Sequence, residues 1–206
     1  MVTKRGLKQY PDLVSRIDRA VFPGLQGGPH MHTISGIAVA LAEASTDEFK
    51  KYGAQVVKNS KALAKELKKR GFDLVSGGTD NHLMLVDLRN KGLSGWVVAW
   101  ALEMAGIILN YNSVPFDTSP PFYPSGIRLG TPILTTRGMR EKDMVRVAKW
   151  IDEVVKHVSQ EKLPVNKKKR ILFTKSYLKR IKQDKWLKAK REVVAKFSRK
   201  FSVPGL

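Results

Sequence analysis

Residues 82–114 read HLMLVDLRNKGLSGWVVAWALEMAGIILNYNSV, and this stretch decides the fold. Its first seven residues, HLMLVDL, form a short apolar run bounded by turn residues, which is strand chemistry. Ser94 then stands where an N-cap belongs, an apolar run follows it, and Gly106 closes that run as a C-terminal glycine does. IILNYNSV restores strand chemistry. Upstream, FDLVSGG at 72–78 reads as another short strand, parted from HLMLVDL by a turn at Gly77, Gly78, Thr79 and Asp80. Before it, residues 47–71 place Phe49, Val56, Val57, Leu63 and Leu67 near helical period and stop at Gly71, which predicts an amphipathic helix of about twenty residues. Downstream, a loop dense in proline and serine at 115–124 leads into the short strand GIRLGTP. Residues 140–160 predict a last long helix with Met144, Val145, Ala148, Ile151, Val154 and Val155 on its apolar face. Strands and helices alternate after residue 70, so the expectation is an α/β fold, a short sheet with covering helices.

Outside this region the chain changes character at both ends. TISGIAVALAEA, residues 33–44, is small and apolar and predicts a mostly buried helix. AVFPGLQGGPHMH, residues 20–32, holds Gly24, Gly27, Gly28 and two prolines but no acid and no lysine. Two readings stay open: simple turns at Pro23-Gly24 and Gly28-Pro29, or glycine amides left bare so that an anion such as phosphate can approach. His30 and His32 lie two apart with no cysteine near them, and no metal site is expected.

The net charge of +20 is concentrated at the C-terminal end, where residues 164–206 carry fifteen Lys/Arg against two Asp/Glu. In that tail VNKKKR reads as a linker or exposed turn, and residues 185–201, with Trp186, Leu187, Val193, Val194 and Phe197, as a docked amphipathic helix. Its lysines, with Tyr177, Trp186 and Phe197 between them, suit either a nucleic acid or plain solvation of a helix face. The absence of cysteine excludes disulfides, thiolate metal sites and thiol nucleophiles. No run of eighteen apolar residues occurs, and MVTKRGLKQYPDL has no leader chemistry, so a cytoplasmic location is expected.

Few residues suggest chemistry on their own. Arg128, alone in the apolar strand of PSGIRLGTP, needs a partner if buried, either a substrate carboxylate or a structural acid. Asn110, Asn112, Ser113 and Pro115 either read a polar heterocycle or merely end a strand. No Ser/His/Asp set, carboxylate pair or P-loop is found. Residue types and spacing alone lead to an anion-binding α/β domain.

Four phrases, AVFPGLQGGPHMH, VVKNSKALAKELKKRGFDLVSGGTDNHLMLVDL, NYNSVPFD and SGIRLGTPILTTRGM, together resemble the C-terminal half of the serine hydroxymethyltransferase family over about residues 1–160. The resemblance implies the C-terminal small domain of a type I pyridoxal-phosphate-dependent transferase. It also implies interconversion of serine and glycine, with tetrahydrofolate as one-carbon acceptor. By the same resemblance, Gly27 and Gly28 would reach the cofactor phosphate across a dimer interface, and Arg128 would clamp the amino-acid carboxylate. Asn112 would contact the folate pterin, with Ser113, Pro121 and Phe122 in the same lining loop. Residues 1–34 would end the large cofactor-binding domain, 35–163 form the small domain, and 164–206 form a basic linker and closing helix. EVVAKFSRKFSVPGL resembles the family's last helix loosely, residues 166–182 exceed the expected pattern, and Tyr111 stands where a charge is common.

The resemblance also implies parts that this sequence lacks. The family's Schiff-base lysine sits in a threonine- and histidine-containing motif that does not occur here, and Lys4 matches a position after it. Also unmatched are the ring-stacking histidine, the aspartate at the ring nitrogen, and the glutamate and tyrosine lent by a second subunit. Met1 matches an internal family methionine, which suggests a truncated, split or misassigned product. The expectation is a chain inactive alone, working as a homodimer or with a complementing N-terminal half. The competing expectation is a non-catalytic protein whose tail binds RNA or an acidic partner.

Overall fold

The computed structural model describes residues 3–203, so Met1 and the closing Pro204, Gly205 and Leu206 of the family-like tail lie outside it. The chain divides into two compact units, 1–49 and 50–206.

The first unit contains α1 (Lys4–Gln9), α2 (Leu13–Arg19), a π-turn at Ala20–Leu25 and α3 (Met31–Ala44). Thr3 Oγ1 caps α1 by accepting from the Gly6 amide at 3.2 Å. The helix expected at 33–44 forms, but the expectation that it is buried fails. No residue of α3 is buried, and Ile37 and Leu41 are 55% and 66% exposed. The reason is that an apolar helix needs a covering surface, whereas this unit offers two short helices and a turn, with no strand among its described residues.

The second unit is built on four strands, β1 (Asp73–Leu74), β2 (Leu83–Asp87), β3 (Asn110–Asn112) and β4 (Gly126–Gly130), in the order β1-β2-β4-β3. Every pairing is antiparallel. Two strands are shorter than their sequence suggested. FDLVSGG pairs in register only at Asp73–Leu74, with one further bond from the Val75 amide to the Leu85 carbonyl at 3.0 Å, before Gly77 takes a positive φ of 68° and turns the chain. IILNYNSV pairs only at Asn110–Asn112, with Ile108 85% exposed ahead of it.

Side chains alternate across the sheet. Leu74, Met84, Val86, Ile127 and Leu129 turn inward and join the core. Against them pack α4 (Asp47–Lys69), α5 (Gly95–Met104) and α7 (Glu141–His157), which contribute Leu63, Leu67, Val97, Leu102, Met144 and Ile151. Ser94 caps α5 as expected, its Oγ accepting from the Trp96 amide. In α7 the burial of Met144, Ala148, Ile151, Val154 and Val155 matches the expected face, but Val145 is exposed and Trp150 takes an inward position. Phe49 of α4 is likewise exposed.

The helix at Glu141–His157 is not the last long one. The short α6 (Pro132–Thr136) precedes it, and α8 (Lys167–Gln183) and α9 (Lys185–Ser198) follow. VNKKKR is therefore no linker: Asn166 Oδ1 accepts from the Lys169 amide at 3.2 Å and starts α8. Tyr177 and Ile181 of α8 are buried, and the Tyr177 hydroxyl donates to the Val97 carbonyl at 2.9 Å. The expected docking of α9 holds for Leu187, Val194 and Phe197, while Val193 stays exposed.

Candidate functional site

The outward face of the sheet gathers several of the residues singled out in the sequence. In register, Arg128 of β4 lies opposite Leu85 of β2 on one side and Asn110 of β3 on the other. Two residues along, Gly126 lies opposite Asp87 and Asn112, and Asp73 of β1 follows Asp87. Residues directly opposite share a face, so Arg128, Asn110, Asn112 and Asp87 all belong to the outer one. Asn112 and Arg128 form a diagonal pair, which places their Cα atoms about 7–8 Å apart.

Arg128 is exposed, not buried as its apolar neighbours suggested. Alternation explains this: Ile127 and Leu129 turn to the core and leave Arg128 on the open side. The structural ion pair weighed for it does not form. Among the described residues the guanidinium has no acidic partner, and Asp87, the acid of this face nearest in register, is taken by another arginine. Asp87 accepts from Arg89 Nη2 at 2.6 Å and from its Nε at 2.8 Å. Burial works to raise the Asp87 pKa, but the hydrogen bonds from Arg89 bring it below its usual value. Arg89 Nη1 also donates to the Phe116 carbonyl at 3.3 Å, which ties the loop after β3 to this corner.

That loop, residues 113–125, is organised around a residue the sequence reading passed over. The Asp117 carboxylate accepts from the Ser125 amide at 2.8 Å, the Ser125 hydroxyl at 2.8 Å, the Ser119 amide at 2.9 Å and the Val114 amide at 3.4 Å. Burial alone would push its pKa up, yet these donors favour the charged form and hold it down at about 2. The Asp followed two residues on by Ser was the legible signal, since aspartate caps turns in this way. Gly126 closes the loop against the sheet: a Cβ there would stand 2.9 Å from both the Asn112 and Val86 carbonyl oxygens.

Four expected residues thus lie with Arg128 in one continuous β3–loop–β4 unit. Asn112 is half-buried and its Nδ2 donates to the Ser113 carbonyl at 2.9 Å. Ser113, Pro121 and Phe122 are exposed, Phe122 by 81%.

Gly27 and Gly28 belong to the other unit. Neither has a positive φ, and a Cβ on either would meet no atom within 4 Å. Neither amide donates a hydrogen bond among the described residues. Among the described residues nothing in the packing requires glycine at these two positions, and neither N–H group has a partner. His30 and His32 meet edge to face at 5.6 Å, and no group of three metal-ligating side chains occurs among the described residues. No helix of the described residues is long and apolar enough to cross a membrane.

Comparison with known proteins supplies the context of these groups. The family model described as serine hydroxymethyltransferase matches residues 1–151. The serine hydroxymethyltransferase of Acidothermus cellulolyticus is 62% identical over 144 residues, covering 70% of this chain and 34% of that protein. Those of Sorangium cellulosum and Desulfotalea psychrophila are 56% and 60% identical over 145 and 139 residues. These stretches cover 70% and 68% of this chain, and 34% and 33% of those proteins. The chain therefore spans about a third of the length of the curated relatives it matches, and α8 and α9 lie beyond the residues that the family model matches.

Proposed function

The chain belongs to the serine hydroxymethyltransferase family, and from that premise we propose that it furnishes the amino-acid clamp, the folate-facing loop and the phosphate loop of such an enzyme. Its short sheet with covering helices is the small α/β domain of a type I pyridoxal-phosphate-dependent transferase. The reaction is the interconversion of serine and glycine, with tetrahydrofolate as the one-carbon acceptor.

The observation that carries this reading is the unpaired Arg128 on the open face of the sheet. A guanidinium with no acid of its own presents a planar fork that matches a carboxylate bidentately. Holding the carboxylate fixes the rotation of the amino acid about its α-carbon, and so selects which bond is presented for cleavage. Asn112, Ser113, Pro121 and Phe122, beside it on the loop pinned by Asp117, face the pterin: an amide for its polar edge and an exposed ring for its flat surface. Gly27 and Gly28 fit the cofactor phosphate because their amides are free and no side chain shields them. In a homodimer these amides serve the cofactor of the neighbouring subunit. Pyridoxal phosphate supplies the electron sink when bound.

These residues hold substrate and phosphate but include no counterpart of the family's Schiff-base lysine motif. The 206-residue chain alone therefore turns over no serine, and acts with the rest of such an enzyme, in one polypeptide or as a complementing half. Steady-state kinetics test both statements. Serine cleavage by the pure chain with both cofactors should stay at background, and measurable turnover would refute its dependence on other parts. In a holoenzyme containing these residues, Arg128→Ala should raise the serine KM at least tenfold, as expected from losing a charge-assisted bond of about 1.5–3 kcal/mol. An unchanged KM would remove the clamp assignment.

A further inference from the structure

The C-terminal helices hold a surface that the hydroxymethyltransferase reading does not use. On α8, Lys168, Lys175, Lys179 and Lys182 recur at i, i+7, i+11 and i+14, which places them within one arc of about 60° over about 21 Å of helix. All four are exposed. None has an acidic partner among the described residues, and α8 itself contains no acid. The cations of α8 that do find partners lie off this stripe. Arg180 meets Glu161 at 2.6 Å, and Arg170 lies over the Tyr123 ring at 4.9 Å. Of the two acids beyond residue 164, Asp184 is already engaged, accepting from the Leu187 amide at 2.9 Å and standing 2.8 Å from His157 Nε2.

The stripe is also held rigid. Its opposite face buries Tyr177 and Ile181, and the Tyr177 hydroxyl is fixed to α5 through the Val97 carbonyl. An ordinary solvated lysine run needs neither a docked scaffold nor the removal of every acid from the helix. We propose that this face binds the phosphate backbone of a duplex nucleic acid, RNA or DNA, without reading its sequence. Lysine ammonium groups act as point charges toward phosphates, and the stripe contains none of the arginine, asparagine or glutamine forks that read base edges. A membrane surface fits less well, because Leu172 at 69% and Ile171 at 45% are the large apolar side chains that α8 exposes, too few to anchor a helix in lipid.

The test is fluorescence anisotropy of the full 206-residue chain with labelled 20-base-pair RNA and DNA duplexes between 50 and 200 mM salt. Four phosphate contacts predict a log–log salt slope of about −3 to −4, a loss of roughly a hundredfold across that range. Changing Lys168, Lys175, Lys179 and Lys182 together to Ala should cut affinity at least tenfold and flatten the slope by about 3. Alanine is the better helix former, so α8 should persist. A charge-matched control, Lys58, Lys61, Lys65 and Lys142 to Ala, should change affinity less than twofold. The proposal is overturned by no binding at 50 mM salt, by equal losses in the two variants, or by tighter binding to phosphatidylserine vesicles or a polyglutamate peptide than to either duplex.

Discussion

Asp117 shows how much a single carboxylate does at the site. Its pKa of about 2 lies below the roughly 3.9 of an unfolded aspartate, so its charged form favours the folded loop. That contribution is complete above about pH 4 and is lost as pH falls through 2. The loop from Ser113 to Ser125 should therefore loosen in acid before the core does, which amide hydrogen exchange of Ser119 and Ser125 between pH 5 and 2 would register. Asp117→Asn should reproduce the loosening at neutral pH, costing about 1–3 kcal/mol in chemical denaturation, because an amide cannot accept all four donors. Exchange that is uniform across the chain at every pH would contradict this. Arg128 was legible as unusual from its apolar neighbours, but not as exposed. That depends on which strand face turns to the core, and a five-residue strand with three glycine or arginine positions does not announce its inner side. Asp117 was missed for the opposite reason: three of its four donors are backbone amides, which carry no residue signal, so only the Asp-x-Ser spacing could have marked it.

At the scale of elements, α4 and α6 are joined by a buried polar contact. Asn59, fully buried, donates from Nδ2 to Thr135 Oγ1 and to the Met139 carbonyl, both at 2.9 Å, and accepts from Gln55 Nε2 at 3.0 Å. Asn59→Ala strands the Met139 carbonyl and should cost about 1–3 kcal/mol in urea unfolding, with no change in the m-value. A loss below about 0.5 kcal/mol would mean that water replaces the amide. Long helices were readable because apolar period and caps agree over many residues, as in α4 and α7. Strands of two and three residues were overextended, since apolar composition continues past the last ladder bond. The start of α8 was lost because KKKR has the composition of a linker, and only the Asn166 cap and the buried Tyr177 reveal a helix.

For the whole molecule, the contrast between the two units matters most. The second unit buries an apolar core, whereas the first exposes Phe22, Leu25, Ile37 and Leu41 by 55–85%. Apolar surface on this scale marks an interface, and the remaining two thirds of a hydroxymethyltransferase is the partner proposed for it. The isolated chain should therefore self-associate in sedimentation, and Leu25→Glu with Leu41→Glu should return it toward a monomer; a monodisperse monomer before substitution would contradict this. The overall α/β class followed from the alternation after residue 70, but the exposure of α3 could not, because an apolar helix looks the same whether or not its covering surface belongs to the same chain. The most direct measurement of the central claim compares serine with serinamide, which lacks the carboxylate, in a holoenzyme carrying these residues. If Arg128 clamps that carboxylate, the enzyme binds serine at least tenfold tighter than serinamide, and Arg128→Ala abolishes the preference. A preference that survives the substitution would show that another group holds the carboxylate.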